Sequence, residues 1–259
     1  MSWLNTVLRT REVLAHIAHG LQSQTPASSL ERDAVNTLCR LPGVQSVISG
    51  HHRSTSGGSL LIKKGDPHGA VAVLLNTIDG HENYERGSLL YGASLVVWKP
   101  HSHIYALVYD GMANRIREIA PLRKPIPHTV GTRQKRVVAL GRYVCLNKQA
   151  AAIVGDASLR WFGSTTLAIL AVADGHIDLA INRTKPWNLW WAAPLCMQGM
   201  VVIKGFTELS NLVNAEPETV ASMTSSIDMV CLRPMLSHKA WPRLLATEYA
   251  KGASVSNKR

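Results

Sequence analysis

The chain has 259 residues, 46% of them hydrophobic, which is enough for one large globular domain or two modest ones. Its formal net charge of +11, with 11 histidines besides, favours an acidic partner such as nucleic acid, an acidic protein surface or a phosphorylated ligand. No apolar run reaches the ~18 residues that a membrane helix needs, and charged residues interrupt the apolar pattern of residues 3–21, so we expect a soluble, cytoplasmic protein without membrane contact.

Two helices are predicted at the start of the chain. Apolar residues recur at helical intervals over residues 3–21. The segment 28–41 predicts a second helix, with Ser28 or Ser29 as its cap. Glu31 or Asp33 would then suit the positive end of the helix dipole.

Apolar runs of strand length follow the two helices. The predicted strands lie at 44–50, 59–64, 70–76, 90–99, 103–111 and 115–120. The run at 70–76 is almost wholly apolar, which favours a central place in a sheet. The runs at 90–99 and 103–111 alternate well enough to form a hairpin. The first half of the chain is therefore predicted to be two helices that cover a mostly antiparallel sheet.

A segment rich in proline and cations, residues 121–136, separates the two halves. It lacks a core periodicity, so we predict an N-terminal α+β half at 1–122 and a C-terminal α/β half at 123–259, joined in one compact unit. In the second half strands alternate with helices, which indicates a three-layer arrangement. The predicted strands are 137–144, 177–182 and 200–206, and the predicted helices lie near 147–154, 164–175 and 187–199.

The stretch LLNTIDGHENYERG, residues 74–87, has the form of a loop that holds a metal or a phosphate. A predicted strand runs into Ile78-Asp79-Gly80, and a strand that ends in Asp-Gly is a common place for such a ligand. Asn76 stands where a second carboxylate would be expected. A second group of residues with recognisable spacing lies further along the chain: Arg160, Gly163, Ser164, Gly175, Asp178 and Trp187.

Together these motifs resemble the inositol monophosphatase family of magnesium-dependent phosphatases. NTIDGHENY has the skeleton of the family signature Asp-Pro-Ile-Asp-Gly-Thr. LRWFGSTTLAILAVADGHIDLAINRTKPWN is similar to the family's Arg-x-x-Gly-Ser-Ala-Ala helix, its Gly-x-x-Asp strand and its Trp-Asp motif. The resemblance implies a layered α-β-α-β-α fold, combining α+β and α/β halves, and a homodimer.

The sequence departs from the family at the positions that carry its chemistry. The departures are His51 for the first metal-binding Glu, Asn76 for the first signature Asp, His81 for the Thr that assists the nucleophile, and Asn188 for the Trp-Asp carboxylate. Asp79 keeps its carboxylate and is the remaining candidate metal ligand. Mg²⁺ prefers carboxylate oxygens, and phosphoryl transfer relies on the metal to neutralise charge. A site for two or three magnesium ions is therefore not expected, and we assign no catalytic residue.

The first functional hypothesis is a catalytically degenerate member of the family that acts by binding, in a regulatory or scaffolding role and without a cofactor. The high positive charge suits an acidic protein or a nucleic acid. The segment 123–136 is the candidate contact surface, and its cations are Arg123, Lys124, Arg133, Lys135 and Arg136. It contains no interleaved aromatic residues, so stacking on single-stranded RNA is not supported there.

The second hypothesis is an active phosphatase with an altered metal site and a small phosphorylated substrate. His51, His52 and His81 could converge with Asp79, and this ligand set suits a transition metal better than Mg²⁺. A displaced carboxylate that reached the metal position would also support catalysis; the candidates are Asp66, Glu82 and Glu85.

A third hypothesis is binding of an anion without turnover. Gly80 and His81 are predicted to begin a turn or helix whose backbone N–H groups face the phosphate position of the family. Loss of carboxylates would reduce the repulsion of a phosphate. A phosphorylated ligand is thus compatible with lost hydrolysis.

Several other residues receive a structural interpretation. The cysteines are widely scattered and predicted to be reduced thiols; they are Cys39, Cys145, Cys196 and Cys231. Trp187, Trp190 and Trp191 are expected on one short helix, as core or dimer contacts. Ser164 is predicted to cap the helix that follows it, and Asp178 is interpreted as structural because its family counterpart lies outside the metal cluster.

Overall fold

The computed structural model describes residues 3–50, 60–120, 136–141, 155, 157–204, 214–223 and 225–233. These residues form two sheets, one of six strands and one of five. The strands of the first sheet are β1 Val44–Ser49, β2 Leu61–Lys64, β3 Val71–Asp79, β4 Gly92–Lys99, β5 His103–Asp110 and β6 Arg115–Ile119. Those of the second are β7 Val137–Leu140, β8 Ser158–Arg160, β9 Leu179–Thr184, β10 Val202–Lys204 and β11 Ile227–Leu232.

Helices cover the sheets and connect them. The α-helices within the described ranges are α1 Trp3–Gln22, α2 Ala27–Cys39, α3 His81–Glu85, α4 Thr165–Ala173, α5 Ala193–Met197 and α6 Pro217–Ser222. Two 3₁₀ turns, Pro186–Asn188 and Trp190–Ala192, precede α5. No helix in the described part of the chain is long and apolar enough to cross a membrane.

Strand β3 forms the centre of the first sheet, as its apolar run predicts. All nine of its residues are buried, and it pairs in parallel with β1 and antiparallel with β4. Because side chains alternate along a strand, Val71 and Val73 face α1 and α2, whereas Ala72 and Leu74 face the opposite side. The sheet order is β2-β1-β3-β4-β5-β6, so that apart from the β1–β3 pair it is antiparallel, as predicted.

Helix α4 lies between the two sheets. All of its residues are buried, and residues 167–173 belong to one apolar core with inner-face residues of both sheets, including Trp98 of β4 and Ala180 of β9. Trp98 packs edge to face on Trp190, with the ring centroids 5.6 Å apart. The layers thus run α-β-α-β from α1 and α2 to the second sheet. The helix predicted near 147–154, which would supply a further layer, lies outside the described residues.

Several local predictions differ from the structure. Helix α2 begins at Ala27 with Pro26 as its N-cap, and neither Ser28 nor Ser29 caps it. Glu31 is not at a solvent-exposed helix end but is buried, where it accepts a hydrogen bond from Ser49 Oγ. The predicted helix 187–199 is divided into two 3₁₀ turns and α5. The predicted boundary between residues 122 and 123 lies outside the described ranges.

Candidate functional site

An open cleft of about 930 Å³ lies where strands of both sheets end. Strands β7, β8 and β9 run parallel, and their carboxyl ends open on the cleft next to the end of β3. Crevices at the carboxyl ends of parallel strands are the usual ligand sites of α/β sheets. The polar and charged residues that line this one are Asp79, His81, Glu82, Asn83, Arg86, Ser164, Thr165, Asn182, Arg183, Thr184, Lys185, Asn188 and Ser226.

Asp79, the carboxylate that the sequence motif predicts as the remaining candidate metal ligand, is only 8% exposed. Its Oδ2 accepts hydrogen bonds from Ser164 Oγ at 3.0 Å and from the backbone N–H of Thr166 at 2.5 Å. Burial raises the pKa of Asp79 above its ordinary value, although these hydrogen bonds act in the opposite direction. The carboxylate is therefore engaged with the first turn of α4.

Asn76 and Asn188 lie side by side. Asn76 Nδ2 donates to Asn188 Oδ1 at 3.0 Å, and Asn188 Nδ2 donates to Thr184 Oγ1 at 3.2 Å. The same network continues to Thr165 Oγ1, which donates to Thr184 Oγ1 at 3.2 Å and accepts from Asn182 Nδ2 at 2.6 Å. A chain of uncharged amides and hydroxyls thus joins the two asparagines that are predicted to replace carboxylates.

His81 begins the short helix α3 at the edge of the cleft. Gly80 is the N-cap, with φ of +97°, a left-handed conformation that suits glycine. His81 is exposed, and its Nδ1 lies 3.3 Å from Glu85 Oε1 one turn later. Since α3 has only five residues, its dipole is small. Anion binding at Gly80 and His81 stays a prediction.

His51 and His52 lie outside the described residues, but the residue before them is placed. Gly50 follows β1, and a Cβ there would come within 3.0 Å of the Trp187 Nε1. The end of β1 is therefore next to the segment that carries Asn188. The structure brings three of the predicted site positions, Asn76, Asp79 and Asn188, to one region and places His81 on the cleft wall.

The described residues do not assemble a magnesium cluster. Within the described ranges, no group of three or more His, Cys, Asp and Glu side chains could hold a metal ion. Asp66 is engaged elsewhere, because its carboxylate accepts from the backbone N–H groups of Gly43 and His68, both at 2.9 Å. Glu85 faces His81, and only Glu82 of the three candidate displaced carboxylates lines the cleft.

Cations outnumber carboxylates on the cleft wall. Among the described lining residues, the cations are Arg86, Arg183 and Lys185, and the carboxylates are the buried Asp79 and the exposed Glu82. Lys185 Nζ also lies 5.7 Å from the centroid of the Trp187 ring. The described wall therefore favours an anionic ligand.

Comparison with solved structures decides the fold. Inositol monophosphatase-II from Staphylococcus aureus MSSA476 superimposes with a TM-score of 0.69 at 16% identity, with all of both chains covered. The inositol monophosphatase from Anabaena gives 0.63 at 16% identity and covers 95% of this chain and 97% of its own. The extragenic suppressor protein suhB from Bartonella henselae gives 0.62 at 12% identity, covering 91% and 95%.

The chain has the inositol monophosphatase fold. The fold expected from the sequence motifs is thus confirmed. No protein-family model matches the sequence, and a search of curated proteins gave no match either. At these identities the similarity concerns the fold, so the chemistry of the cleft has to be argued from its own residues.

The inositol monophosphatase fold also accounts for the residues that received a structural interpretation. Ser164 caps α4 as predicted, since its Oγ accepts from the Leu167 N–H. Asp178 accepts from Val137 N and from Arg233 Nη2, which is a structural role. Trp190 and Trp191 are fully buried core residues, and the three described cysteines are free thiols.

Sequence reasoning missed part of the cleft. The residues not predicted for it include Thr165, Asn182, Thr184, Arg86 and Trp161. Thr184 and Lys185 come two and three residues after the predicted strand 177–182, so the rule that ligands bind at strand carboxyl ends was an available signal. Arg86 and Trp161 come together only through tertiary structure, and no local pattern identifies them.

Proposed function

We propose that this chain is a catalytically degenerate protein of the inositol monophosphatase fold that acts by binding and does not hydrolyse phosphomonoesters with Mg²⁺. The observation that carries the proposal is the Asn76–Asn188–Thr184 hydrogen-bond chain. Whichever way the two amides are oriented, their contact joins an NH₂ donor to an oxygen. One amide donor therefore lies where a cation would need an oxygen ligand.

The single carboxylate at this place supports the same conclusion. Asp79 Oδ2 already accepts two hydrogen bonds from the start of α4. Phosphoryl transfer in metal-dependent phosphatases requires cations that neutralise developing charge and activate the nucleophile. One engaged carboxylate and two amides are a poor substitute for several carboxylates.

The test is phosphate release measured with Mg²⁺, Mn²⁺ and Zn²⁺ supplied in turn, together with metal content. Suitable substrates are inositol monophosphate and 2'-AMP, because SaIMPase-II structures similar to this chain carry them, and fructose 1,6-bisphosphate. We expect no turnover above background. Turnover that disappears in Asp79→Ala, with the variant still folded by circular dichroism, would refute the proposal.

The alternative is a phosphatase that uses an altered metal site built from His51, His52, His81 and Asp79. It predicts zinc, manganese or iron in the purified protein and activity that is lost in His81→Ala. The matched control is His68→Ala, an exposed histidine that is not among the residues lining the cleft. Since His68 is not one of the proposed ligands, its loss should leave such activity in place.

The binding partner proposed for the degenerate protein is an acidic protein or a nucleic acid, contacted through residues 123–136. The net charge of +11 supports this choice. A pull-down that compares the wild type with a variant charge-reversed in this segment tests it, and equal recovery of partners would contradict it. A homodimer is proposed by analogy with the fold, and light scattering on a sizing column measures it.

A further inference from the structure

An exposed indole stands at the rim of the cleft. Trp161 directly follows β8, lines the cleft and is 54% exposed, whereas Trp98, Trp190 and Trp191 are at most 1% exposed. The chain beside it is anchored, because Asn83 Nδ2 donates to the carbonyl of Phe162 at 2.7 Å. Trp161 thus offers a flat apolar surface next to polar groups, on a chain segment whose backbone is anchored.

Cationic side chains share the cleft with this indole. Arg183 and Lys185 flank Thr184 at the end of β9, and Arg86 directly follows α3. The Arg86 and Arg183 side chains are exposed. Guanidinium and ammonium groups are the usual partners of phosphate oxygens, and arginine binds them with paired hydrogen bonds.

Uncharged hydrogen-bonding groups line the same cleft. Thr165, Asn182 and Thr184 line the cleft and carry both donors and acceptors suited to hydroxyl groups. The volume of about 930 Å³ is within the range for small-ligand clefts, so a ligand with a ring, a polyol and a phosphate can be accommodated.

We propose that the cleft binds a nucleotide unit, with the base stacked on Trp161 and the phosphate held by the cations of Arg86, Arg183 and Lys185. The inference deepens the proposed function, since it names the ligand class of the non-hydrolysing site. It also differs from the partner surface at 123–136, where aromatic residues are lacking. Stacking on an indole tolerates any base, and cations along one wall supply affinity for the phosphate.

The base contact is tested by calorimetric titration with AMP, adenosine, ribose 5-phosphate and inorganic phosphate. Stacking contributes about 5- to 150-fold per base, so AMP should bind at least fivefold more tightly than ribose 5-phosphate. Trp161→Ala should reduce the affinity for AMP to that for ribose 5-phosphate. Trp161→Phe should retain part of the difference in affinity between the two ligands. The matched control is Met197→Ala, a residue 55% exposed and not among those that line the cleft.

The phosphate contact is tested in the same titrations. The double variant Arg183→Gln/Lys185→Gln should weaken the binding of AMP and of ribose 5-phosphate by the same factor, about tenfold or more. It should also reduce the salt dependence of binding. The matched control is Lys99→Gln, an exposed lysine at the end of β4. We expect no change in this variant.

An eight-residue adenosine oligoribonucleotide distinguishes a free nucleotide from a nucleotide within RNA. Tighter binding of the oligomer than of AMP, lost in Trp161→Ala, assigns the site to single-stranded RNA; equal or weaker binding assigns it to the free nucleotide. The inference is overturned if AMP binds no better than ribose 5-phosphate, if no probe binds, or if Trp161→Ala has no effect. Phosphate release from AMP in the same samples would instead refute the proposed function, which excludes hydrolysis. Failure of the nucleotide site and failure of the proposed function are therefore distinguishable.

Discussion

At the scale of single residues, Asp79 has a structural role that its sequence motif does not reveal. Its carboxylate joins the end of β3 to the start of α4 through Ser164 and Thr166. Charge-assisted hydrogen bonds of this kind are stronger than those between neutral groups. Asp79 therefore contributes to stability whether or not the protein turns over a substrate.

Substitution of Asp79 by alanine should destabilise the protein. It leaves a buried backbone N–H and a buried hydroxyl without their acceptor, at a cost of about 1–3 kcal/mol. Urea denaturation measures the change in the free energy of unfolding. The matched control is Asp33→Ala, since Asp33 is an exposed aspartate of α2. This variant should change the free energy of unfolding by less than ~0.5 kcal/mol. Equal stability of wild type and Asp79→Ala would exclude this structural role.

The raised pKa of Asp79 predicts a pH dependence with a definite sign. Burial raises the pKa of this carboxyl above its ordinary value of 3.8, so between the two values the folded state binds more protons than the unfolded state. The free energy of unfolding contributed by Asp79 is therefore greatest at low pH and falls as the pH rises above about 4. Compared with Asp79→Asn, the wild type should lose stability over that rise, by at most ~1.4 kcal/mol per pH unit. A difference independent of pH would contradict this.

At the scale of secondary structure, strong apolar patterns made α1, α2 and the strands of the first sheet predictable. Strand β8 was not, because Ser158–Arg160 is short and largely exposed and is defined by its pairing with β7. The helix predicted at 187–199 was wrong in its extent. Pro194 lacks a backbone N–H and suits a helix start, so the α-helix begins at Ala193.

Prediction of the candidate site from the sequence is limited in the same way. Asn76, Asp79 and Asn188 were predicted from motifs whose spacing is local. The contacts that give the site its character, such as Asn182 with Thr165, depend on how β9 lies against α4. The sequence shows which residue types are present, but it does not show how β9 is aligned with α4.

The cap of α4 provides a test at this scale. Ser164 accepts from the Leu167 N–H and donates to Asp79, so Ser164→Ala should lower the free energy of unfolding by about 1–2 kcal/mol. Thermal and urea unfolding both measure this loss of stability. Ser28→Ala is the control, since Ser28 was predicted as a cap of α2 and is not one. A similar loss in both variants would show that the cap is not the cause.

At the scale of the whole molecule, an ion-pair group ties the first sheet to the end of helix α4. Arg117 of β6 contacts Asp174, directly after α4, at 2.6 Å and Asp110 of β5 at 3.3 Å. The Arg117 side chain is 19% exposed and the Asp110 side chain 5%. Because these groups are largely removed from water, loss of the arginine leaves two carboxylates without their partner.

Substitution of Arg117 by methionine should therefore be costly. We expect a loss of about 3 kcal/mol in the free energy of unfolding, measured by urea denaturation. Arg9→Met is the matched control, since Arg9 pairs with Glu12 on the surface, where both side chains are at least 60% exposed. Such exposed pairs contribute little, less than ~1 kcal/mol. A loss of the same small size for Arg117→Met would contradict a joining role for the ion-pair group.

The two faces of the first sheet depend on different parts of the chain. The face under α1 and α2 is packed by buried residues between Val7 and Tyr109, all of which have been synthesised once β5 has emerged from the ribosome. The opposite face is covered by α4 and the turn that carries Trp190, which come much later. A nascent chain that ends near residue 120 can close one face but presents the other, which includes Leu74, Val96 and Trp98, to water. During synthesis this surface is the place where a chaperone would bind and where premature association between chains would begin.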